Sequence, residues 1–147
     1  MRNVSGNLYP AVVVHGLADA RTVLSVGRPV TLLSAEGAVM YAGSAWWRAL
    51  MDRAAAEYPD AACDNILDCA DASGLALGAL RIGQRRLILH PAAPGRAEVA
   101  ATAATLGCDI LTNRPPALDM AQRGAARRLH SWLHPQTTLG DSDNGLS

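Results

Sequence analysis

The sequence predicts an α/β fold in which a five-stranded parallel sheet carries helices on both faces. Three observations lead to this prediction: short apolar runs recur along the chain, segments with helical spacing separate them, and glycines stand just before several of the runs. A chain of 147 residues is long enough to bury one core without disulfide or metal support. We expect a single domain at 9–134, with flexible or loosely docked termini at 1–8 and 135–147.

The expected strands are runs rich in Val, Ile and Leu. Their apolar residues do not alternate with polar ones, which is typical of strands covered on both faces, as in a parallel sheet. These runs occupy residues 11–15, 30–34, 65–69, 86–90 and 109–113.

The helix after the second strand has the clearest helical pattern. An apolar stripe recurs there at intervals of three and four residues and comprises Trp47, Leu50, Met51, Ala54 and Tyr58. This spacing predicts a helix that packs one face on the sheet.

Glycine, serine and proline mark the ends of the other helices. Gly27, Gly83 and Gly107 precede strands, where glycine can take the left-handed conformation that ends a helix. We expect Ser73 to cap the third helix. Prolines at positions 94 and 116 are expected to open the fourth and fifth helices.

The spacing of the strands predicts their order. Strands starting at residues 30 and 65 are 35 positions apart, whereas the other consecutive starts are 19 to 23 apart. A long crossover suits a jump over an intervening strand, which favours the flavodoxin-like order 2-1-3-4-5. The alternative is a half-barrel-like order 1-2-3-4-5, in which the long segment is a longer helix or a helix pair split near Gly43 and Ser44.

Composition excludes several classes of chemistry and partner. All 13 basic residues are Arg, and without Lys the chain has neither pyridoxal phosphate catalysis nor a Walker-A nucleotide site. The 13 acidic residues balance the basic ones, so we expect a small-molecule or protein partner rather than nucleic acid or a membrane surface. No apolar run approaches the ~20 residues that cross a bilayer, and no secretion signal is recognisable, so the expected compartment is the cytoplasm.

Polar residues follow three of the predicted strands and are the candidate catalytic groups. They are His15, Asp68 and His90. Because ligands of open parallel sheets bind at the carboxyl ends of the strands, these side chains could converge on one ligand. A carboxylate at the end of an apolar strand needs hydrogen bonds or a cleft, and histidines supply an acid and a base near neutral pH. The alternative is that each imidazole bonds only a neighbouring loop carbonyl.

Further candidate ligand-binding residues follow the same strands: Asp19, Cys69, Asp71, Ser73, Asn113 and Arg114. Capping of helix starts is the alternative role of the two aspartates. Cys69 would be a nucleophile only if its pKa were lowered, and otherwise it is a small buried hydrophobe. No metal is expected, because the histidines and aspartates have no spacing typical of a metal site.

Trp46 and Trp47 are adjacent and point about 100° apart on a helix, so both cannot face one core. Trp46 shares a different flank with Val39, Gly43 and Arg53. Either another part of the chain covers this flank, or it is an interface, for example of a homodimer.

Two functions follow from these residues, and no motif is specific enough to indicate a reaction or a cofactor. The first is a small-molecule-binding domain, whether or not it is an enzyme, with its site at the carboxyl ends of strands 1, 3 and 4. The second is a non-catalytic oligomeric or protein-interaction module that uses the flank around Trp46.

Overall fold

Six strands and six helices occupy residues 8–134, the part of the chain that the structure, a computed structural model, describes. In chain order the elements are β1 (Ala11–Val13), α1 (Leu17–Leu24), β2 (Val30–Leu33), α2 (Ala38–Tyr41), α3 (Ser44–Glu57), β3 (Cys63–Asp68), α4 (Ser73–Arg81), β4 (Arg86–Ile88), α5 (Arg96–Leu106), β5 (Asp109–Leu111), β6 (Ala117–Asp119) and α6 (Ala125–Leu133). All five predicted strands are present. Most of the termini predicted at 1–8 and 135–147 lie outside the described residues, and Leu8 packs against the strands.

Within residues 8–134 the sheet has six strands in the order β5-β4-β3-β2-β1-β6, and every neighbouring pair is parallel. The sheet stays open, with β5 and β6 at its edges. The α/β class with a parallel sheet flanked by helices is therefore confirmed.

The preferred strand order 2-1-3-4-5 is wrong, and the alternative order 1-2-3-4-5 describes the first five strands. β2 pairs directly with β3, with Leu32 opposite Asn65. The long connection between them is filled by two helices, α2 and α3, which are split at Ala42 and Gly43, rather than by a path over another strand. Gly43 has a φ of 86°, a left-handed value that strains other residues, and this makes the sharp turn between the two helices.

The sixth strand, β6, was missed by the sequence reasoning. It has three residues, too few for a periodic pattern, and follows Pro115 and Pro116. Proline suits this place because β6 lies at an edge of the sheet, where a missing N–H costs no ladder hydrogen bond. The expected helix opening at Pro116 is therefore a strand.

Buried side chains form two clusters, one on each face of the sheet. Along β1, Val12 belongs to the larger cluster and Val13 to the smaller one, as expected for alternating side chains. The larger cluster includes buried residues from all six helices of the described chain. The smaller contains the strand residues Val13, Leu33, Ile66 and Ile88, with Leu8, Leu111 and Ala117 packed against them.

The expectation of helices on both faces needs correction for this core, because no described helical residue joins the smaller cluster. The physical reason is the strand order. Right-handed crossovers that advance steadily in one direction leave their helices on the same face of a sheet.

The expected helix ends are partly right. Gly27, Gly83 and Gly107 have positive φ values of 77°, 102° and 70°, as predicted. Ser73 does not cap α4, because Ala72 is the N-cap and no side chain caps that end. None of the helices among residues 8–134 combines the length and the hydropathy needed to span a bilayer.

Candidate functional site

His15 and Asp119 form a side-chain pair at the carboxyl edge of the sheet. His15 follows β1, and Asp119 ends β6, which pairs beside β1 with Val13 opposite Asp119. His15 Nε2 lies 2.7 Å from Asp119 Oδ1. Backbone contacts hold both residues, because the N–H of His15 donates to Asp19 at 2.9 Å and the N–H of Ala121 donates to Asp119 at 2.9 Å.

The charge on Asp119 fixes which nitrogen of His15 carries the proton. Burial on its own would raise the pKa of Asp119, but hydrogen bonds from His15 and Ala121 and the charges of His15 and Arg114 together lower it below the ordinary value. An ionised carboxylate only accepts hydrogen bonds, so His15 Nε2 is the donor. In the neutral ring, Nδ1 then carries a lone pair, and it has no partner among residues 8–134.

Asp68, at the end of β3, is a buried carboxylate whose hydrogen bonds come from three places. It is 2% exposed. Its Oδ1 accepts the backbone N–H groups of Gly37 at 3.2 Å and Ala70 at 2.8 Å. Its Oδ2 accepts from Arg114 Nη1 at 2.7 Å. This ion pair satisfies a carboxylate that would otherwise be costly to bury.

Arg114 links the two aspartates. It belongs to the connection between β5 and β6, and its Nη1 also donates to the carbonyl of Ser34, just after β2, at 3.1 Å. Its charge contributes to the lowered pKa of Asp119 while its Nη1 pairs with Asp68. The Nε and Nη2 donors of Arg114 have no partner within the described chain. His15, Asp119, Arg114 and Asp68 thus form one group of polar and charged side chains, which we call the carboxyl-edge cluster.

Ala70 adds backbone strain beside this cluster. Its φ is 51°, and it is the non-glycine residue with a positive φ in the described chain. Hydrogen bonds hold this conformation, from its own N–H to Asp68 at 2.8 Å and from the N–H of His90 to its carbonyl at 2.7 Å. Strained residues of this kind cluster at ligand sites.

The three predicted catalytic residues do not bond to one another. β2 lies between β1 and β3, which puts the ends of those strands about 10 Å apart in a flat sheet. His15 pairs with Asp119 instead of Asp68. His90 is a further strand away, and its Nδ1 accepts the N–H of Ala92 at 3.0 Å, so the neutral ring carries its proton on Nε2.

The other candidate ligand-binding residues have varied surroundings. Cys69 is fully buried, and burial together with the charge of Asp68 raises the pKa of its thiol to about 12. Asp71 is exposed, and the Oγ of Ser73 is buried with no hydrogen-bond partner. Asn113 makes a local bond to Thr112 at 3.3 Å.

The flank around Trp46, which the sequence predicts as a possible interface, is only partly exposed to a partner. Val39 is 2% exposed, and Arg53 is held by Glu57 at 2.7 Å. Trp46 is 38% exposed, and its ring centroid lies 6.1 Å from that of Trp47. Close to it in sequence, Met40 and Tyr41 are exposed by 55% and 71%, which the sequence reasoning missed.

Asp119 is the functional candidate that the sequence reasoning also missed. The three residues of β6 are too few to predict a strand from the sequence, so the sequence does not place Asp119 at a strand end. Among residues 8–134, no group of three or more His, Cys, Asp or Glu side chains is arranged so that it could hold a metal ion.

No protein-family model matches the chain, and no curated protein matches it either.

Proposed function

We propose that the protein binds a small oxygen-rich anion at the carboxyl-edge cluster and that His15 acts there as a general base. The observation that carries this proposal is the contact of 2.7 Å between His15 Nε2 and Asp119 Oδ1. An aspartate that accepts one ring N–H orients a histidine and leaves the other nitrogen to take a proton.

The exposure of the pair supports a role in binding rather than in the core. The side chains of His15 and Asp119 are 38% and 37% exposed, so a ligand can reach them from solvent. A buried pair would be shielded from any substrate. The base is therefore accessible, and its tautomer is set before a ligand arrives.

Arg114 indicates the chemical class of the ligand. Its side chain is 28% exposed, and its Nε and Nη2 groups are available to an oxygen acceptor. A planar guanidinium suits a carboxylate or a phosphate, which accept two parallel hydrogen bonds. A carboxylate or phosphate ester held there would lie at the same edge of the sheet as the His15–Asp119 pair, because Arg114 Nη1 reaches the carboxyl ends of β2 and β3.

The test combines a ligand screen with a count of protons. Small carboxylates and phosphate esters are screened by thermal shift, and each hit is titrated calorimetrically in buffers of different ionisation enthalpy. We expect a hit to bind the native protein with a net proton exchange, that is, with protons taken up from or released to the buffer. His15→Gln should keep the fold, because the lost hydrogen bond joins two exposed groups worth about 1 kcal/mol at most, but the proton exchange should disappear.

His130→Gln is the matched control, since His130 is exposed and its ring has no hydrogen-bond partner among residues 8–134. It should bind the hit with the proton exchange of the native protein. Equal exchange in His15→Gln, or a screen without any hit, would reject the proposal.

A second candidate function, self-association, is favoured by the exposed side chains of Met40, Tyr41 and Trp46 across the turn between α2 and α3. The occupant that we propose for this surface is a second copy of the chain. The formal net charge of zero supports this choice, because identical chains without net charge do not repel each other. Trp46 would be the central contact, as tryptophan is enriched at interface centres.

A further inference from the structure

A small cavity lies between α3 and the amino ends of β2 and β3. It has a volume of about 140 Å³. A cavity of roughly 150 Å³ is known to hold benzene, so about six non-hydrogen atoms fit a space of this size. Most of the lining side chains are apolar, namely Leu24, Leu32, Met51, Ala54, Ala55 and Pro59. The cavity therefore suits the apolar body of a small molecule.

Asn65 brings a polar side chain to this cavity on the helix-covered face of the sheet. It lies opposite Leu32, which belongs to the larger buried cluster, in the pairing of β2 with β3. Its Oδ1 accepts the indole N–H of Trp47 at 3.1 Å and the Nε2 of Gln84 at 2.9 Å. Its Nδ2 has no partner among residues 8–134, and this nitrogen is not sealed off from solvent. Asn65 thus offers a hydrogen-bond donor in a fixed orientation.

Arg48, on α3, brings a positive charge to the same cavity. Its Nη1 donates to Gln84 Oε1 at 3.1 Å, so a single amide group connects its guanidinium to Asn65. Its Nη2 has no partner in the described chain. Asp52 pairs with its Nε at 3.2 Å but is 70% exposed, so water screens this ion pair. The cavity keeps a charged donor near the amide of Asn65.

The other polar side chains that line the cavity already have hydrogen bonds. The hydroxyl of Tyr58 donates to the carbonyl of Arg21 at 3.3 Å. The thiol of Cys63 donates to the carbonyl of Asp64 at 3.4 Å. The two side-chain nitrogens that remain free are both donors, so they require a ligand with acceptor oxygens.

We infer that this cavity binds a short-chain monocarboxylate, with its carboxylate on Arg48 Nη2 and Asn65 Nδ2 and its alkyl chain against Met51 and Ala55. A carboxylate supplies one oxygen to each donor, and a guanidinium binds a charged acceptor more strongly than a neutral one. Butyrate has six non-hydrogen atoms, which is about the number that the cavity volume allows.

The experiment titrates butyrate into the full-length ¹⁵N-labelled protein. The indole N–H of Trp47, which bonds Asn65, reports on the cavity. The indole N–H of Trp132, which donates to the Ala11 carbonyl at 2.8 Å, is the internal reference. We expect butyrate to shift the Trp47 signal in a saturable way with a Kd in the millimolar range, because so few atoms make contact.

Two analogues separate the charge of the ligand from its apolar body. Butyramide keeps the shape of butyrate without the charge, and acetate keeps the charge without most of the alkyl chain. Each should bind about tenfold or more weakly than butyrate, because one loses a charge-assisted hydrogen bond and the other loses two buried CH₂ groups.

Ala55→Leu should fill the cavity and weaken butyrate binding at least tenfold, while its unliganded spectrum stays close to that of the native protein. Leucine is a good helix former, and Ala55 is exposed on α3. Ala56→Leu is the matched control, since Ala56 is exposed on the same helix and does not line the cavity.

The inference is overturned if butyrate does not shift Trp47, if butyramide or acetate binds as tightly, or if Ala55→Leu binds butyrate like the native protein. His15→Gln should retain this binding, because His15 lies at the carboxyl edge of the sheet, so the carboxyl-edge proposal and this one fail separately.

Discussion

Single hydrogen bonds fix the roles of side-chain atoms at both ends of this sheet. At the carboxyl edge, the ionised Asp119 assigns the proton of His15 to Nε2 and leaves Nδ1 as a base. At the amino end, Asn65 Oδ1 accepts from both Trp47 and Gln84, which fixes Nδ2 as the remaining donor of the amide. In both places a protein hydrogen bond uses one polar atom of a side chain and so defines the role of the other.

Cys69 should be unreactive in the native protein. With a pKa of about 12, only about one thiol in ten thousand is ionised at pH 8. Iodoacetamide labelling followed by mass spectrometry should modify Cys69 in urea and not under native conditions. Rapid labelling of Cys69 in the native protein would instead support its alternative role as a nucleophile.

Arg114→Lys should separate the two roles of Arg114. The lysine keeps a positive charge for the buried Asp68 but lacks the Nε and Nη2 donors that we assign to the ligand. We expect a stability loss of about 1–2 kcal/mol and a roughly tenfold loss of affinity for a carboxyl-edge ligand, measured by urea unfolding and by calorimetry. Arg114→Met is the comparison, because removing the charged partner of a buried carboxylate costs about 3–5 kcal/mol. Unchanged ligand affinity in Arg114→Lys would remove Arg114 from the binding site.

At the scale of elements, an ion-pair cluster ties α1 to α3. Glu57 Oε1 accepts from Arg21 of α1 at 2.7 Å, and its Oε2 accepts from Arg53 of α3 at 2.7 Å. The hydrogen bonds from Arg21 and Arg53, in that order, lower the pKa of Glu57 to about 2 from an ordinary value of 4.5. The contacts join a helix that follows β1 to one that precedes β3.

Glu57→Gln should therefore be less stable than the native protein near neutral pH but not in strong acid. A carboxyl group whose pKa is lowered by folding stabilises the fold above its unfolded pKa, near 4.5 here, and this contribution is lost as the pH falls towards about 2. The thermal midpoints of the native protein and Glu57→Gln are measured between pH 7 and pH 2. The difference between them should shrink as the pH falls. Glu98→Gln is the control, as Glu98 is exposed and makes no ion pair among residues 8–134. A constant difference at all pH values would contradict the assignment.

Element prediction from the sequence succeeded where apolar runs were long and failed where they were short. The runs that contain β1 to β5 are continuous, so their strands were found, whereas the three residues of β6 carry no period. Asp119 was lost with β6, although His15, at the end of a predicted strand, was found. The strand order was wrong because a connection length cannot distinguish a helix pair split at Gly43 from a path over a strand.

At the scale of the whole molecule, the strand order decides which residues meet. It places β1 next to β6, and so joins His15 to Asp119 rather than to Asp68.

The oligomeric state tests the second candidate function. If Met40, Tyr41 and Trp46 form a contact between two copies, Trp46→Glu should place a charge at its centre and convert a dimer to a monomer in light scattering. Arg53→Gln, on the same helix, should leave the measured mass unchanged, because Arg53 is already paired with Glu57. A native protein that scatters as a monomer at all concentrations would exclude self-association through this surface.

The connection between β5 and β6 joins the two outer strands of the sheet with only five residues, 112–116. From Leu111 to Ala117, fully extended chain reaches about 21 Å, whereas the five gaps between six strands would measure about 24 Å in a flat sheet. The sheet must therefore bend so that its outer strands approach each other, and the face that bears Val13, Leu33, Ile66 and Ile88 is the inside of the curve. The five-residue connection that carries Arg114 therefore limits the distance between β5 and β6, and its length limits how flat the sheet can be.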